Sequence, residues 1–439
     1  MGHSYRIGVA PPRADGGTGQ QSLTQQDWLA YLGEICELLW PPPTVVTIEG
    51  ARPGLPNPLA AVRWGPDGEE RLGNSELLLI PGVRRPPLLV PADPRVAAAA
   101  VRHYSGSRST ATRLVAKVMS LGLSSGWAGS VQRGRVRLGA VAGSDTIEAY
   151  LRDAMSRDIH VSMYLGPARA NRKPVLQLLT GAGEPVGFAK VGVNPLTREL
   201  VRAERSSLNL LGRAGMREIT VPRVLHYGEW RGLNILVVSA LPVWQRHRSV
   251  TPARLAAAMC EVAQIAGLHY EPLAGGAYLK QLSGRLAAAE EGLERAALTD
   301  ALGTIVDTMG DTALTSGAWH GDWAPWNMAN TVRGLLVWDW ERFTVGVPVG
   351  FDALHHWLQA EVGPGRRDAL GAATNCVEQA AGLLAPFGVA TPQARLTALL
   401  YLADLATRYL VDQQAKAGAR RGSPGTWLIP AITAAVARL

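Results

Sequence analysis

The chain has 439 residues, 47% of them hydrophobic and 18% charged, a balance that excludes the disordered class and allows two or three domains with cores of their own. Its formal charge of +8, from 44 basic against 36 acidic residues, is spread along the chain and mildly favours anionic ligands. With no RNA-module aromatic signature and no Cys/His finger, nucleic acid is not an expected partner. Cys36, Cys260 and Cys376 are sparse and unpatterned, as free thiols in a reducing compartment are. The N-terminus lacks a signal-peptide core and no long uncharged apolar run occurs, so a cytoplasmic location away from membranes is expected.

Residues 1–23 carry Pro11-Pro12, Gly16-Gly17 and Gly19 and read as a flexible tail. A helix follows, with Thr24 as its cap. Trp28, Leu29, Leu32, Ile35, Cys36 and Leu39 fall on one stripe until Pro41-Pro42-Pro43 ends it. Short apolar runs between Gly/Pro turns over 44–93 predict β-structure, and helical patterns lie near 94–104 and 107–121. Residues 24–145 thus form an N-terminal accessory region whose role the sequence leaves unassigned.

From 146 the pattern is an amphipathic helix in "DTIEAYLRDAMSR", then strands in "IHVSMYL", "PVLQLL" and "VGFAKVG". A helix near 194–212 and strands in "VPRVLHYGEW" and "LNILVVSAL" complete 146–241. The remainder, 242–439, is helical, with periodic stretches at 252–269, 282–310, 352–362, 366–385, 393–414 and 426–438. The predicted fold is α+β and two-lobed like a protein kinase, with a small β-rich N-lobe and a helical C-lobe behind an extra N-terminal α/β region.

"AWHGDWAPWNMANTVRGLLVWDWERF" holds the residues with legible chemistry. Phosphoryl transfer from a nucleoside triphosphate requires a carboxylate for the attacking hydroxyl, hard oxygen ligands for magnesium, and a lysine for the phosphates. Asp322 follows an apolar approach into a loop, Asn327 lies five residues later, and Asp339 ends the strand predicted for "GLLVWD".

His-Gly-Asp-x-x-x-x-Asn followed by Asp-Trp-Glu resembles the aminoglycoside phosphotransferase and choline kinase-like superfamily, over about residues 150–439. The resemblance implies Asp322 as catalytic base, Asn327 and Asp339 as magnesium ligands, and His320 as a support of the loop. It also requires a lysine, and Lys190 stands mid-strand in "GFAKVG"; its acidic helix partner is Glu204, with Glu199 as the alternative. An isolated lysine there is costly without an anion. "GPARANRK" has no G-x-G-x-x-G, so Arg169, Arg172 and Lys173 either cover the phosphates or decorate a solvated hairpin. Ser239 and Ala240 occupy the place of the interlobe linker, whose backbone meets adenine. Trp323, Trp326, Glu341 and His356 are the candidate substrate contacts. His355 and His356 diverge by about a hundred degrees on a helix, so they are not read as a joint metal site, and Asp352 is read as a helix cap.

These residues imply an ATP- and Mg2+-dependent phosphotransferase acting on a hydroxyl of a small molecule such as a sugar, nucleoside or glycoside-type intermediate. An aminoglycoside resistance kinase, a Ser/Thr peptide kinase in a peptide-modification pathway and a non-catalytic kinase-like binding module are the alternatives. Residues 24–145 are the place for a peptide or protein partner.

Overall fold

A computed structural model of the chain describes residues 25–49, 62–64, 74–82, 85–105, 110–125, 134–140, 143–363, 368–419 and 421–439. Thr24, the expected helix cap, and the tail at 1–23 lie outside them. The accessory region supplies α1 (Gln25–Leu39), β1 (Val45–Glu49), β2 (Val62–Trp64), β3 (Asn74–Gly82), β4 (Arg85–Pro91), α2 (Pro94–Ser105), α3 (Thr110–Ser124) and β5 (Arg135–Gly139). Next come α4 (Ile147–Met155), β6 (His160–Leu165), β7 (Pro174–Leu179), β8 (Pro185–Gly192), α5 (Pro195–Ala214), β9 (Ile219–Thr220), β10 (Val224–Trp230) and β11 (Leu233–Ser239).

Among the described residues, strands of both segments join in one ten-stranded sheet of order β10-β11-β8-β7-β6-β4-β3-β5-β1-β2. The junction is the antiparallel pairing of Leu88 with Tyr164 and of Leu89 with Met163. Strand alternation gives the sheet two apolar faces. On one, Leu89, Val161, Met163, Leu176, Leu178, Ala189 and Val191 pack with Leu32 and Leu39 of α1 and with Leu151 of α4. The accessory helix α1 therefore shares a core with the N-lobe. On the other face, Leu78, Leu88, Val90 and Leu179 pack with Val96, Ala97 and Ala100 of α2.

The C-lobe contains α6 (Pro252–Ala263), β12 (His269–Pro272), α7 (Ala277–Ala287), α8 (Leu293–Met309), β13 (Ala313–Trp319), β14 (Met328–Thr331), β15 (Gly334–Val337), β16 (Thr344–Pro348), α9 (Phe351–Glu361), α10 (Ala369–Glu378), α11 (Ala380–Leu384), α12 (Thr391–Val411) and α13 (Leu428–Val436). The fold is thus α+β and two-lobed. Three predicted helices are shorter than their periodicity suggests. The first stops at Ala263, because Gly267 turns at φ +80 into β12; the second divides before Leu293, where Gly292 is extended; the third divides at Gln379. "LNILVVSAL" ends as a strand at Ser239, so Val237 and Val238 pair within the sheet and the linker starts at Ala240. Helix α12 is the axis of the lobe, with Leu396, Leu399, Leu400, Tyr401 and Leu405 fully buried. The three cysteines are unpaired. Among the described residues no helix is long and apolar enough to cross a membrane.

Candidate active site

The loop between β13 and β14 is shaped by backbone needs before any chemistry. Gly321 has φ +82, and a Cβ there would lie 2.2 Å from the carbonyl oxygen of Arg342, so only glycine fits both the left-handed geometry and the approach. Gly321→Ala is expected to cost about 1–3 kcal/mol and to lower the melting temperature; an unchanged melting curve would refute this account of the turn.

Three groups then brace the loop. Asp352, at the start of α9, accepts from the backbone N–H of His320 at 2.7 Å and of Gly321 at 3.3 Å. Gly350 holds the N-cap position of α9, so Asp352 is a loop brace where a helix cap was expected. His320 is fully buried; its Nε2 donates to the Trp338 carbonyl at 3.1 Å and its Nδ1 accepts from the Asp322 backbone N–H, also at 3.1 Å. Burial pushes this imidazole down to about 4, against the pull of Asp322, so it serves as a neutral crossbar. Arg408 of α12 donates to the Gly321 carbonyl at 2.6 Å.

Burial raises the Asp352 carboxyl to about 7 from an ordinary 3.8, the two backbone N–H groups opposing and the Asp322 charge reinforcing the rise. A carboxyl whose folded value lies above its unfolded value stabilises the fold fully at low pH, and that contribution is lost as pH rises through the folded value. The wild type should therefore lose stability relative to Asp352→Asn between pH about 4 and about 7, at up to about 1.4 kcal/mol per pH unit. Parallel melting temperatures for the two proteins across that range would contradict it.

So braced, Asp322 keeps its side chain 32% exposed. Oδ1 accepts from His355 Nε2 at 3.0 Å, and Oδ2 accepts from Asn327 Nδ2 at 2.9 Å. Burial pushes this carboxyl up, but the His355 hydrogen bond and the Arg408 charge outweigh it and hold the group below its usual range. His355 is itself fixed by Tyr401, whose hydroxyl lies 3.0 Å from Nδ1. Desolvation pushes the His355 imidazole down despite Asp322, so the neutral ring donates from Nε2 and accepts at Nδ1.

Lys190 sits mid-strand in β8, opposite Val175 of β7 and Leu236 of β11. Its ammonium donates at 2.6 Å both to Glu204 Oε1 and to Asp339 Oδ1. Glu204 is on the buried stripe of α5 with Leu200, Val201, Leu208 and Leu211, and it also accepts from the Trp340 backbone N–H at 3.3 Å. Glu199 is exposed. Desolvation works against the Lys190 charge, but Asp339, Glu204 and Glu341 hold the lysine protonated. Burial likewise opposes ionisation of Asp339, and Lys190 and Lys173 override it. Asp339 adopts φ 73, an uncommon region for a residue with a side chain and one that concentrates at functional sites.

Asn327 spends its amide nitrogen on Asp322, through both the carboxylate and the carbonyl, which leaves its amide oxygen for another partner. With the Asp339 carboxylate this is a hard oxygen set of the type magnesium takes. Among the described residues, carboxylate oxygens of Glu204, Asp339 and Glu341 also lie within 4.8 Å of one another, but Glu204 is taken by Lys190 and Glu341 by Lys173. Asn327 and Asp339 are thus the donors whose chemistry fits a divalent cation.

The remaining predicted contacts are placed differently. Lys173 is buried in an ion pair with Glu341, which also accepts from Asn171 at 3.1 Å; neither side chain is open to a ligand. Arg172 lies 3.5 Å over the Tyr31 ring. Arg169 is exposed, and its charge contributes to the lowering of Asp339. Trp323 is fully buried with its indole N–H on Met328 Sδ, so it offers no face for stacking, whereas Trp326 is 40% exposed. His356 is turned to the Trp323 carbonyl at 3.3 Å. Ser239 Oγ accepts from the Arg223 backbone N–H at 2.9 Å, and Ala240 is half-buried. His355, Arg408 and Tyr401 did not emerge from the sequence as site residues. One signal was available: His355 is three residues after Asp352, so both face one side of α9.

No protein-family model and no curated protein matches the chain. Among solved structures it is similar to choline kinase LicA from Streptococcus pneumoniae, with 14% identity and a TM-score of 0.44 over 67% of this chain and 99% of that one. It is similar also to a thermostable mutant of aminoglycoside phosphotransferase APH(4)-Ia (15%, 0.43, 66% and 98%). A third is the putative fructosamine-3-kinase from Haemophilus somnus 129PT (13%, 0.38, 66% and 96%).

Proposed function

We propose that this protein is an ATP- and magnesium-dependent phosphotransferase that moves a γ-phosphoryl group to a hydroxyl of a small molecule. The supporting observation is a braced Asp322, held by His355, that His320 links to the strand end beside the Lys190–Glu204–Asp339 cluster. Asp322 accepts the proton of the acceptor hydroxyl as its oxygen bonds to the γ-phosphorus. The bridging P–O bond breaks and its electron pair leaves with ADP. His355 and Asn327 occupy one oxygen each, which aims the remaining lone pairs of Asp322 at the cleft. Lys190 offers its ammonium to the phosphates and Glu204 fixes it. Asn327 and Asp339 are the residues to hold magnesium, which when bound supplies charge neutralisation between the phosphates.

A polycationic acceptor finds less support. Of the C-lobe carboxylates, Asp404 is paired with Arg285 and Asp412 with Arg342, Asp352 braces the loop, and Asp368 caps α10. A neutral hydroxyl compound suits this lobe better. The test is magnesium-dependent ADP release across a panel of sugars, nucleosides, choline, aminoglycosides and Ser/Thr peptides. ATP binding with no acceptor stimulating turnover would sink the proposal in favour of a binding module.

A further inference from the structure

The nucleotide cleft has an end that the linker backbone does not account for. On the face of the sheet that carries Lys190, alternation places Val175 and Gln177 of β7 beside Lys190 and Phe188 of β8, in the pairs Val175–Lys190 and Gln177–Phe188. Gln177 is therefore one step, about 7 Å, from Lys190 along the strand. The step leads toward the linker, since Ser239 pairs with Gly187. Gln177 is 4% exposed, yet among the described residues neither its amide oxygen nor its amide nitrogen has a hydrogen-bond partner. Two orphaned atoms on one buried amide are rare in a folded protein and indicate a missing partner.

Helix α2 of the accessory region reaches the same end. Leu179, the next residue on that face of β7, packs in one cluster with Val96 and Ala100 of α2. At the far end of α2, His103 is 4% exposed and its ring lies 4.5 Å from the Trp244 ring of the linker segment. Among the described residues its Nδ1 has no partner, nor has the buried Oε1 of Gln245, next to Trp244. Burial first, then the Arg102 charge, pushes this imidazole down to about 4, so at neutral pH the ring is uncharged. Strand β7, the linker segment and the accessory helix thus each carry a buried polar atom with no partner among the described residues.

We infer that Gln177 and His103 hydrogen-bond the nucleobase of the bound nucleotide, which makes helix α2 a wall of the nucleotide pocket and the accessory region part of the site. This rests on the phosphotransferase reading above. An amide that both donates and accepts matches the paired donor and acceptor on the edge of adenine, and Phe188 opposite Gln177 provides an apolar surface for the ring.

The test uses the full chain and two probes, Mg·ATP and Mg·tripolyphosphate, the latter lacking a base. Gln177→Met keeps the volume of the side chain, and His103→Phe keeps a ring on Trp244. Each variant should lose about tenfold in ATP affinity and keep the tripolyphosphate affinity and melting temperature of the wild type. Variants that bind ATP as the wild type does, or that lose both probes alike, overturn the inference and leave the phosphotransferase reading standing. A wild type that binds neither probe overturns that reading and the inference with it.

Discussion

If Asp322 is the base of the proposed transfer, Asp322→Asn should lower turnover about 10²- to 10⁴-fold, the contribution typical of a positioned general base, with ATP affinity changed by no more than a few-fold. In the proposed mechanism the two effects separate because Asp322 serves the acceptor and Lys190 the phosphates. Asparagine keeps the shape of the side chain, and its amide can face His355 without repulsion if the imidazole reverses its tautomer. The Tyr401 hydroxyl, 3.0 Å from Nδ1, would then accept where it now donates. The backbone bonds from His320 and Gly321 to Asp352 do not involve the mutated carboxylate, so the loop keeps its form. What disappears is the acceptor for the hydroxyl proton. The measurement is kcat with the best acceptor of the panel, beside an ATP dissociation constant for both proteins. Turnover within a few-fold of the wild type would remove Asp322 from the role of base.

The sequence makes one part of this site readable and hides another, for a physical reason. Asp322, Asn327 and Asp339 are close in the chain, so a short loop and a strand suffice to set their spacing. Lys190 and Glu204 are fourteen residues apart, a separation that a strand end and the first turns of α5 bridge with little freedom. His355 and Arg408 come to Asp322 from α9 and α12, and which face of a C-lobe helix points inward is decided by packing. The basic residues of "GPARANRK" show the same limit from the other side. Their charge suggests phosphate, but Lys173 has found Glu341 and Arg172 has found Tyr31, partners far away in the chain. The accessory region was recognisable as β-strands and helices. That its sheet continues that of the N-lobe through the pairing of β4 with β6 is a long-range fact without a local signal.

Glu204→Ala should be strongly damaging, because it removes one of the two carboxylates that hold a buried ammonium. Glu204 is 0% exposed, and one of its oxygens serves both the Lys190 ammonium and the Trp340 N–H. Truncation leaves the lysine with Asp339 as its remaining close partner among those described here and leaves a backbone N–H next to Asp339 without its acceptor. Removing one member of a buried pair typically costs about 3–5 kcal/mol, which a shift in the urea midpoint would report. Activity should fall as well, since Lys190 then swings fully to Asp339 and both are withdrawn from the phosphates. The companion variant, Glu204→Leu with Lys190→Met, separates the two effects. Replacing both charges by apolar groups of similar size removes the desolvation penalty of that pair along with its attraction, but it leaves Asp339 without its lysine and the Trp340 N–H without its acceptor, so it should recover part of the lost stability while remaining inactive. An active double variant would show that the ion pair has no part in turnover, and a single variant as stable as the wild type would show that the buried charge has found another partner.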